Sequence, residues 1–437
     1  MESINVLILG SGGREHALAW KIKQSPRCGS LFIAPGNAGS KDLGIQVALS
    51  LQDFEAIGRL VLEHHISLVI VGPEEPLVKG IADYFATDPN LSRVTMVGPG
   101  AKGARLEGSK AYAKEFMARH AIPTATYARF TLETLEEGWL HLSESRGPYV
   151  LKADGLAAGK GVVILQELME AKATLEDMLR GQFGAASQCV VVEQFLNGTE
   201  FSVFILTDGR NYVLLPEAKD YKRVGEGDRG PNTGGMGAVS PVPLFDPTMS
   251  EKVRRRIIEP TLRGLEQDGI PYQGFLFFGL ISVAGNPLVI EYNCRLGDPE
   301  TEAILPRLET DLLDWFSDLA QGCLGKHPTR IVEKYAVSTV LVSGGYPGDY
   351  QQGFPVDLPQ VFGEGICFHA GTAWDAKGQV ITSGGRVLVV TALDEDMSLA
   401  AAKSREMANA ISFQGKYYRC DIGHDLMDLN PIGNLTS

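Results

Sequence analysis

The sequence predicts a fold of mixed α/β and α+β class, in which a doubly wound parallel sheet is followed by two further domains. Three observations support this class. Apolar strands and amphipathic helices alternate through the first hundred residues, glycine-rich loops separate the strands from Gly108 onward, and shorter strands with a single helix follow Leu319. A chain of 437 residues is long enough for two to four domains, each with its own core.

The N-terminal segment alternates strand and helix with short connections, which gives a parallel sheet covered on both faces. The predicted strands are residues 4–9, 30–34, 67–71 and 93–97, and the predicted helices are residues 16–24, 53–64 and 77–85. Ligands of such sheets bind beyond the carboxyl ends of the strands. Three loops that contain glycine are predicted at those ends, over residues 10–17, 35–39 and 72–77.

The later segments are less regular. Ser109 is a suitable N-cap for a helix that ends at Arg119. Further strands are predicted over residues 149–153, 162–165, 189–195, 212–215, 274–283, 288–292, 336–342, 366–373 and 386–393. Further helices are predicted over residues 166–180, 251–267, 311–319 and 398–410. Residues 219–237 are predicted as one long polar loop, and loops of this length within a folded domain are usually functional or disordered.

Composition and charge exclude several classes of protein. Lys and Arg number 40 against 53 Asp and Glu, so the net charge of −13 disfavours non-specific binding to nucleic acid or anionic membranes. The six cysteines are far apart and form no Cys-x-x-Cys pair, which is typical of free thiols in a reducing cytosol. The apolar N-terminal run is expected to be a strand rather than a signal peptide, and no run approaches the length needed to cross a bilayer. We expect a cytoplasmic protein.

The first glycine loop is predicted to bind a phosphate group. Gly10, Gly12 and Gly13 precede a helix whose N-terminal amides could cradle an anion, and Arg14 supplies a positive charge. A dinucleotide such as NAD is disfavoured because Glu15 occupies the place of the third glycine of the usual fingerprint. A smaller phosphorylated ligand fits better, and a plain tight turn is the alternative.

A second group of residues suggests triphosphate binding. Lys152 lies among apolar residues of a predicted strand, where its charge is costly unless it meets an anion. The small-residue loop 154–161 follows and could fold over a triphosphate, although it is not a Walker loop because no helix follows it. Lys110 and Lys114 lie one turn apart on a predicted helix. The alternatives are an ordinary hairpin and two solvated lysines.

The segment 193–196 could contact an adenine edge through its backbone, with Glu200 accepting hydrogen bonds from ribose hydroxyls. Ordinary strand residues are the alternative. The polar loop 219–237 carries four basic residues and ends in Gly-Gly-Met-Gly, so it is predicted to hold an anion. The turn 383–386 could close over a substrate or be a simple hairpin turn.

The end of the strand 288–292 predicts a site for a divalent cation. Glu291 and Asn293 are two positions apart, so their oxygen atoms lie on one face of the strand. A carboxylate and an amide oxygen suit Mg²⁺, which completes its octahedron with water and phosphate. Arg295 falls in the same register and could clamp a carboxylate or a transferring phosphoryl group. The alternative is a strand that runs into a Gly-Asp-Pro turn, with Glu291 facing water.

Six longer motifs are spread over nearly the whole chain. They are Asn-Val-Leu-Ile-Leu-Gly-Ser-Gly-Gly-Arg-Glu-His-Ala (5–17), Pro-Gly-Asn-Ala-Gly (35–39), Val-Gly-Pro-Glu-Glu-Pro-Leu (71–77), Lys-Ala-Asp-Gly-Leu-Ala-Ala-Gly-Lys-Gly (152–161), Gly-Pro-Asn-Thr-Gly-Gly-Met-Gly (230–237) and Arg-Leu-Gly-Asp-Pro-Glu-Thr (295–301). Together they resemble the phosphoribosylamine–glycine ligase family of the ATP-grasp superfamily. Many members have His where Tyr221 stands, so no proton-transfer role is assigned to that residue.

The resemblance implies a substrate-binding domain over residues 1–106, an ATP-grasp domain over residues 107–328 with a mobile lid at 125–195, and a C-terminal domain over residues 329–437. It implies that ATP, glycine and 5-phosphoribosylamine give glycinamide ribonucleotide, ADP and phosphate through glycyl phosphate, a step of purine synthesis. The expected partners are these small molecules and Mg²⁺ or Mn²⁺, and a monomer is expected.

The resemblance also implies roles for individual residues. Arg295 and Lys152 are the expected catalytic residues, and Glu291 and Asn293 are the expected metal ligands. The residues expected to contact ATP are Lys114, Lys152, Asp154, Gly155, Gly159, Lys160, Gly161, Glu193, Phe195, Leu196 and Glu200. The residues expected to contact the other substrates are Gly10, Gly12, Gly13, Arg14, Asn37, Gly72, Glu75, Asp220, Lys222, Asn232, Gly235, Arg295 and Arg386.

Three alternatives remain at this point. Another ATP-grasp ligase, such as a biotin-dependent or purine carboxylase, would release ADP with bicarbonate instead of glycine. An oxidoreductase built on the first domain would bind NADH. A silent nucleotide-binding module would lack the metal pair, and the presence of Glu291 and Asn293 counts against it.

Overall fold

The computed structural model describes residues 3–157, 161–359 and 363–427. The N-terminal part is a five-stranded parallel sheet in the order β3-β2-β1-β4-β5. Because the chain moves outward from β1 first on one side and then on the other, right-handed connections place helices on both faces. The predicted doubly wound sheet is therefore confirmed. Its elements are β1 Ile4–Gly10, α1 Gly13–Lys23, β2 Cys28–Pro35, α2 Ser40–Leu43, β3 Ile45–Gln46, α3 Phe54–Glu63, β4 Leu68–Val71, α4 Glu74–Val78, α5 Ile81–Thr87 and β5 Thr95–Val97.

One predicted helix of this part, residues 77–85, is in fact two helices. Gly80 lies between α4 and α5 with φ of +86°, a left-handed conformation that glycine adopts easily and that ends the first helix. The second helix then begins at Ile81. The helix α4 is therefore short. It begins at Glu74, next to the carboxyl end of β4.

The central part contains two four-stranded sheets. The first, β6-β9-β7-β8, is the predicted lid and has a hydrophobic core of its own, which includes Phe130, Leu151 and Leu175. Its elements are β6 Tyr127–Phe130, α8 Leu135–Glu144, β7 Tyr149–Ala153, β8 Val162–Leu165, α9 Leu168–Asp177 and β9 Val190–Gln194, with short 3₁₀ or π turns at Leu132–Thr134, Met178–Gln182 and Gly184–Ser187. A region with a separate core can shift as a unit against its neighbours.

The second central sheet has the order β11-β10-β16-β17 and is antiparallel. Its strands are β10 Thr199–Thr207, β11 Tyr212–Leu214, β16 Gly274–Val283 and β17 Asn286–Asn293. The helices of this part are α6 Ala101–Gly108, α7 Lys110–Arg119, α10 Pro247–Val253, the π-helical turn Arg254–Ile258, α11 Glu259–Gln267, α12 Glu300–Arg307 and α13 Leu312–Ala320. One hydrophobic core joins β16 and β17 to the N-terminal sheet, so these parts form a common platform.

The third sheet, β12-β15-β18-β22-β19, crosses the predicted boundary at residue 328. Its strands are β12 Lys219–Asp220, β15 Gly237–Ser240, β18 Tyr335–Val342, β19 Ile366–His369 and β22 Arg386–Asp394. The segment predicted as one loop, residues 219–237, therefore contains short strands, because its ends pair with the C-terminal sheet. The remaining elements are the hairpins β13 Arg223–Gly225 with β14 Arg229–Asn232 and β20 Thr372–Trp374 with β21 Val380–Thr382, and the helices α14 Met397–Ala410 and α15 His424–Met427.

Candidate functional site

A cleft of about 1060 Å³ lies between the lid and the platform. The lid contributes β7, β8 and the end of β9, and the platform contributes α7, β17 and the segment 219–237. Predicted site residues that line the cleft are Arg14, Lys114, Lys152, Gly161, Glu193, Phe195, Leu196, Glu200, Asp220, Lys222, Asn232, Glu291, Asn293, Arg295 and Arg386. Residues from distant segments of the sequence thus converge on one cavity, which is the usual character of a ligand site.

The lid side of the cleft carries a buried cluster of two lysines and one carboxylate. Lys114 Nζ lies 2.8 Å from Glu193 Oε2, and Lys152 Nζ lies 2.9 Å from Glu193 Oε1. Lys114 also donates a hydrogen bond of 2.7 Å to Thr124 Oγ1. Burial lowers the pKa of Lys114 to about 8, and although burial acts to raise the pKa of Glu193, the charges of the two lysines hold it below its ordinary value. We call this cluster the basic wall.

The basic wall engages one residue that was expected to contact the adenosine. The carboxylate of Glu193 lies between the two lysines, and its contact with the adenosine stays a prediction. The residues that follow it line the cleft where β9 ends, and the side chain of Phe195 is partly exposed there. A contact between the backbone of residues 193–196 and an adenine edge likewise stays a prediction.

The glycine-rich loop after β7 is described at its two ends only, because Gly159 and Lys160 lie outside the described residues. Gly161 lines the cleft. Asp154 faces the other way: its carboxylate accepts hydrogen bonds of 3.0 Å from Ser109 Oγ and 2.7 Å from Ala111 N. Asp154 thus caps the N-terminus of α7. A direct contact of Asp154 with ATP stays a prediction.

Gly155 lies beside Asp154 and makes protein contacts as well. Its N–H donates to Ala186 O at 3.0 Å, and its carbonyl accepts from Lys110 Nζ at 3.4 Å. A side chain at this position would come within 2.9 Å of the Ala186 backbone. The glycine therefore allows close packing within the lid, and its contact with ATP stays a prediction.

The platform side of the cleft carries an excess of carboxylates. Lys222 Nζ lies 3.3 Å from Glu200 Oε2, 3.8 Å from Glu291 Oε1 and 4.0 Å from Asp220 Oδ2. Glu300 lies behind them and accepts a hydrogen bond of 3.1 Å from Ser202 Oγ. We call these five ionisable residues, Asp220, Lys222, Glu200, Glu291 and Glu300, the acidic wall.

Burial and neighbouring charges shift the pKa values of the acidic wall in different directions. Burial, with Asp220 close by, raises the pKa of Glu300 to about 7. Burial also acts to raise the pKa of Glu291, but Lys222 and Lys152 hold it below its ordinary value. Burial alone would lower the pKa of Lys222, yet the surrounding carboxylates, first of all Asp220, raise it well above its ordinary value. Glu291 is therefore charged at neutral pH, whereas Glu300 is half-protonated.

Glu291 and Asn293 both line the cleft at the end of β17, as predicted. They pair with Gly279 and Phe277 of β16, and the register shifts between Gly279 and Leu280. Within the described residues, no group of three or more His, Cys, Asp or Glu side chains could hold a metal ion. The pair supplies two oxygen ligands of the type that a hard cation takes, and phosphate and water would have to complete the coordination.

Arg295 lies beside this pair and is held by the N-terminal part of the chain. Its Nη2 donates hydrogen bonds of 2.6 Å to Glu107 Oε1 and 3.1 Å to Asn293 Oδ1, and its Nε lies 3.4 Å from Glu74 Oε2. The charges of Glu107 and Glu74 raise its pKa against the effect of burial. Arg295 thus places a permanent positive charge between the two walls.

A second cavity of about 680 Å³ lies between the first glycine loops and the C-terminal sheet. Gly12 and Asn37 line it from the N-terminal part, and Thr372 and Trp374 line it from the C-terminal part. Asp298 and Arg386 line both cavities, so the two are adjacent at this point. Arg386 Nη2 lies 3.1 Å from Asp298 Oδ1.

Asn37, a predicted substrate contact, lies in this second cavity but has its amide engaged by the protein. Its Nδ2 donates to Ser11 O at 3.0 Å and to His369 O at 2.7 Å. Its Oδ1 accepts from Gly39 N at 3.1 Å. Asn37 therefore shapes the cavity by joining two loops, and a direct contact with substrate stays a prediction.

Several glycines predicted to approach a ligand make room for protein carboxylates instead. A side chain at Gly10 or Gly72 would collide with Glu15, and one at Gly13 would collide with Glu302. None of the three glycines lines either cavity, and their contacts with substrate stay predictions. Glu15 stabilises the loop itself, because its Oε2 accepts from Gly12 N at 2.6 Å.

Two more predicted substrate contacts point elsewhere. Glu75 is exposed and lies 2.8 Å from Lys79 Nζ on the surface of α4, whereas its neighbour Glu74 faces Arg295. Successive helical side chains diverge by about 100°, so only one of the two glutamates can face the cleft. Gly235, with φ of +120°, packs against Pro299 and lines neither cavity.

Sequence reasoning missed some residues of the site. Lys110 lines the cleft one turn before Lys114, and Glu107 and Glu300 are buried beside Arg295 and Asp220. Lys110 could have been predicted from the sequence, because it lies one turn from Lys114 on the same face of the predicted helix. Glu107 and Glu300 gave no local signal, since their partners lie far away in sequence.

Comparison with known proteins agrees with this geometry. Residues 4–107 match the model of the phosphoribosylglycinamide synthetase N domain, residues 108–301 that of its ATP-grasp (A) domain, and residues 336–425 that of its C domain. The chain is 46% identical to a phosphoribosylamine–glycine ligase of Pseudomonas aeruginosa over 427 residues, which are 96% of this chain and 98% of that protein. It is 45% identical to one of Vibrio vulnificus over 431 residues, again 96% and 98% of the two chains.

Solved structures give the same result. The crystal structure of a phosphoribosylamine–glycine ligase from Thermotoga maritima is similar with a TM-score of 0.83 and 36% identity, covering 96% of this chain and all of that one. The biotin carboxylase domain of a 2-oxoglutarate carboxylase from Hydrogenobacter thermophilus is similar with a TM-score of 0.71 at 18% identity, over 95% and 92% of the two chains. The second likeness shows the fold alone.

Proposed function

The chain belongs to the phosphoribosylamine–glycine ligase family, and from this premise we propose that it joins glycine to 5-phosphoribosylamine, giving glycinamide ribonucleotide, ADP and phosphate. It is an ATP-dependent ligase of purine biosynthesis. The observation that carries the proposed reaction is the opposition of the basic wall and the acidic wall across one cleft, beside Arg295. A triphosphate needs basic groups and its cation needs oxygen ligands, both beside the reacting carboxylate.

ATP is placed between the lid and the platform. The backbone of residues 194–196 contacts the adenine, and Glu200 contacts the ribose. The phosphates are contacted by Lys114, Lys152 and, through Gly161, the lid loop. Lys110, which also lines the cleft, adds a third positive charge on the same side. Glu193 keeps the two lysines in place by sharing its carboxylate between them.

Glu291 and Asn293 would hold the divalent cation, for which we propose Mg²⁺. When bound, the cation neutralises charge on the transferring phosphoryl group. Lys222 is the nearest cation to Glu291, at 3.8 Å, and Glu200 at 3.3 Å gives it an alternative partner when a metal takes the Glu291 oxygen.

The protein itself takes little part in the making and breaking of covalent bonds in this reaction. A glycine carboxylate oxygen attacks the terminal phosphorus of ATP, the bond to ADP breaks, and glycyl phosphate forms. The amine of phosphoribosylamine then attacks the acyl carbon, loses a proton and expels phosphate. Arg295 faces the charge that develops on the acyl phosphate, and Asp220, Lys222 and Asn232 surround the glycine.

Phosphoribosylamine is placed in the second cavity, with its amine directed to the first. Arg14 lines the first cavity, Gly12 lines the second, and Asp298 and Arg386 line both. This adjacency supports the assignment, because the amine must reach an intermediate formed in the cleft.

We also propose the division at residues 106 and 328, a lid at 125–195 that moves, and a cytoplasmic monomer that binds neither nucleic acid nor membranes. The separate core of the lid supports its motion, and the net charge of −13 disfavours nucleic acid. In the described part of the chain, no helix combines the length and the apolar character that crossing a bilayer requires.

An ADP-release assay tests the reaction. The purified protein is mixed with ATP and Mg²⁺ alone, with glycine, with bicarbonate, and with glycine plus freshly made phosphoribosylamine. We expect sustained ADP release only in the last mixture, with glycinamide ribonucleotide identified by mass spectrometry. ADP release that depends on bicarbonate and not on glycine would identify a carboxylase and refute the proposed substrates.

A further inference from the structure

Glu107, near the end of α6, is a buried carboxylate that faces the end of β17 rather than solvent. Its Oε1 accepts the hydrogen bond of 2.6 Å from Arg295 Nη2. Its Oε2 accepts from the backbone N–H of Cys294 at 2.8 Å, and Cys294 Sγ lies 3.1 Å away. One side chain therefore fixes both the backbone before Arg295 and the guanidinium of Arg295.

The two carboxylates beside Arg295 differ in environment. Only 6% of the Glu107 side chain is exposed and its contact is short, whereas 29% of the Glu74 side chain is exposed and its contact is 3.4 Å. A short charge-assisted hydrogen bond in a dry environment restrains a side chain more strongly than a longer contact near water. Glu107 is therefore the contact that sets where the guanidinium points.

The position set in this way matters for the metal pair. Arg295 Nη2 also donates to Asn293 Oδ1 at 3.1 Å, so one nitrogen is shared between Glu107 and a proposed metal ligand. If Glu107 were absent, Arg295 could swing toward Glu74, away from Asn293. The guanidinium of Arg295 and the amide oxygen of Asn293 would then both lose their orientation.

We propose that Glu107 is a positioning residue that holds Arg295 against Asn293 in the orientation needed for phosphoryl transfer. This inference rests on the proposed function of Arg295. Glu107 lines the cleft, but its carboxylate is engaged by Arg295 and the backbone of Cys294, so it acts through Arg295. It is therefore expected to affect the rate of the chemical step and to leave the binding of ATP nearly unchanged.

A double-mutant cycle tests this inference with Glu107→Gln, Arg295→Ala and the combined variant. The amide of glutamine lacks the charge and places an NH₂ group near other donors. In the parental background we expect Glu107→Gln to lower kcat about tenfold or more, with KM for ATP changed less than about twofold. In the Arg295→Ala background the same substitution should change kcat less than about twofold, because its target has been removed.

Matched controls separate positioning from folding. Glu55→Gln changes an exposed glutamate of α3, outside the predicted site, and should leave kcat at the parental value. Glu107→Asp keeps the charge and should recover part of the lost kcat. If Glu107→Gln does not fold, as judged by its thermal midpoint, the same cycle is run with Glu107→Asp.

The outcomes are distinct. Effects of Glu107 and Arg295 on kcat that simply multiply would overturn the inference, and so would an Arg295→Ala variant with parental kcat. A parental protein that releases no ADP in response to glycine and phosphoribosylamine would instead refute the proposed function. Non-multiplying effects with glycine-dependent ADP release support the positioning role.

Discussion

The two walls of the cleft differ in charge and in the part of the fold that carries them. In the basic wall, two lysines share one carboxylate, and one of the lysines and the carboxylate belong to the lid sheet with its own core. In the acidic wall, Lys222 is alone among four carboxylates, two of which lie on the platform strands β10 and β17. One wall therefore has an excess of positive charge and the other an excess of negative charge.

This difference in charge indicates which ligand is attracted to which wall of the cleft. An anionic triphosphate is attracted to the lid side, and a cation or an ammonium group to the platform side. Because the metal pair lies on the platform and the lysines lie partly on the lid, closing the lid would bring the phosphates to the cation. Substitutions on the two walls should therefore have different kinetic signatures.

The largest effect is expected for Glu291→Ala on the acidic wall. The variant removes the charged ligand of the metal pair, so we expect kcat to fall about a thousandfold or more while the fold is retained. ADP release with glycine and phosphoribosylamine measures the loss, and the far-ultraviolet circular dichroism spectrum checks the fold. A rate near the parental value would show that Glu291 does not hold the metal.

On the basic wall, Lys152→Ala should mainly weaken the use of ATP. Removing one of two lysines that face the phosphates should raise KM for ATP about tenfold to a hundredfold. The measurement is the initial rate as a function of ATP concentration. Lys102→Ala, which changes an exposed lysine of α6, is the matched control, and an unchanged KM and kcat in Lys152→Ala would contradict the assignment.

The contrast between the walls could be predicted only in part from the sequence. The lysines and the Glu-x-Asn pair were found because each gives a local signal: a charge in an apolar strand, or two ligands at a spacing of two. The parallel sheet followed from a regular alternation of strand and helix. These features depend on neighbours in the sequence, and the structure agrees with them.

The contacts that the sequence did not predict are made where distant segments meet. Glu15 and Glu302 fill the space beside Gly10, Gly72 and Gly13, and no periodicity shows that these glycines face carboxylates. Asp154 caps a helix that begins more than forty residues earlier in the chain. In each case, packing between remote elements decides which groups a residue meets.

A smaller effect is expected from the pH dependence of the basic wall. Burial lowers the pKa of Lys114 to about 8, so this lysine loses its charge as the pH rises through that value. We expect KM for ATP to rise about threefold or more between pH 7 and pH 9, and Lys114→Arg to flatten the profile because arginine stays charged. The pKa of Lys110 is also lowered by burial, so some dependence would remain.

The comparison for Lys114 is a set of initial rates at several ATP concentrations from pH 6.5 to pH 9.5. Lys102→Arg serves as the control for an exposed lysine on the neighbouring helix. A profile that keeps its full pH dependence in Lys114→Arg would show that another group controls the affinity for ATP.

The smallest expected effect is on the free energy of unfolding. This effect tests the acidic wall without a measurement of catalysis. Burial raises the pKa of Glu300 from 4.5 to about 7, so the folded state binds more protons than the unfolded state between these values. Stability contributed by this group is therefore present at low pH and is lost as the pH rises toward 7. Glu300→Gln removes the charge and should raise the free energy of unfolding at pH 8 by about 1–3 kcal/mol, with little gain at pH 5.

Urea unfolding of parental and variant protein at pH 5 and pH 8 measures this difference. Glutamine keeps an oxygen that can accept the hydrogen bond from Ser202, so the neutral side chain is expected to fit. Glu75→Gln, at the exposed position on α4, should give the same result at both pH values. An equal change at pH 5 and pH 8 in Glu300→Gln would mean that burial and the charge of Asp220 do not raise the pKa of Glu300 in the folded state.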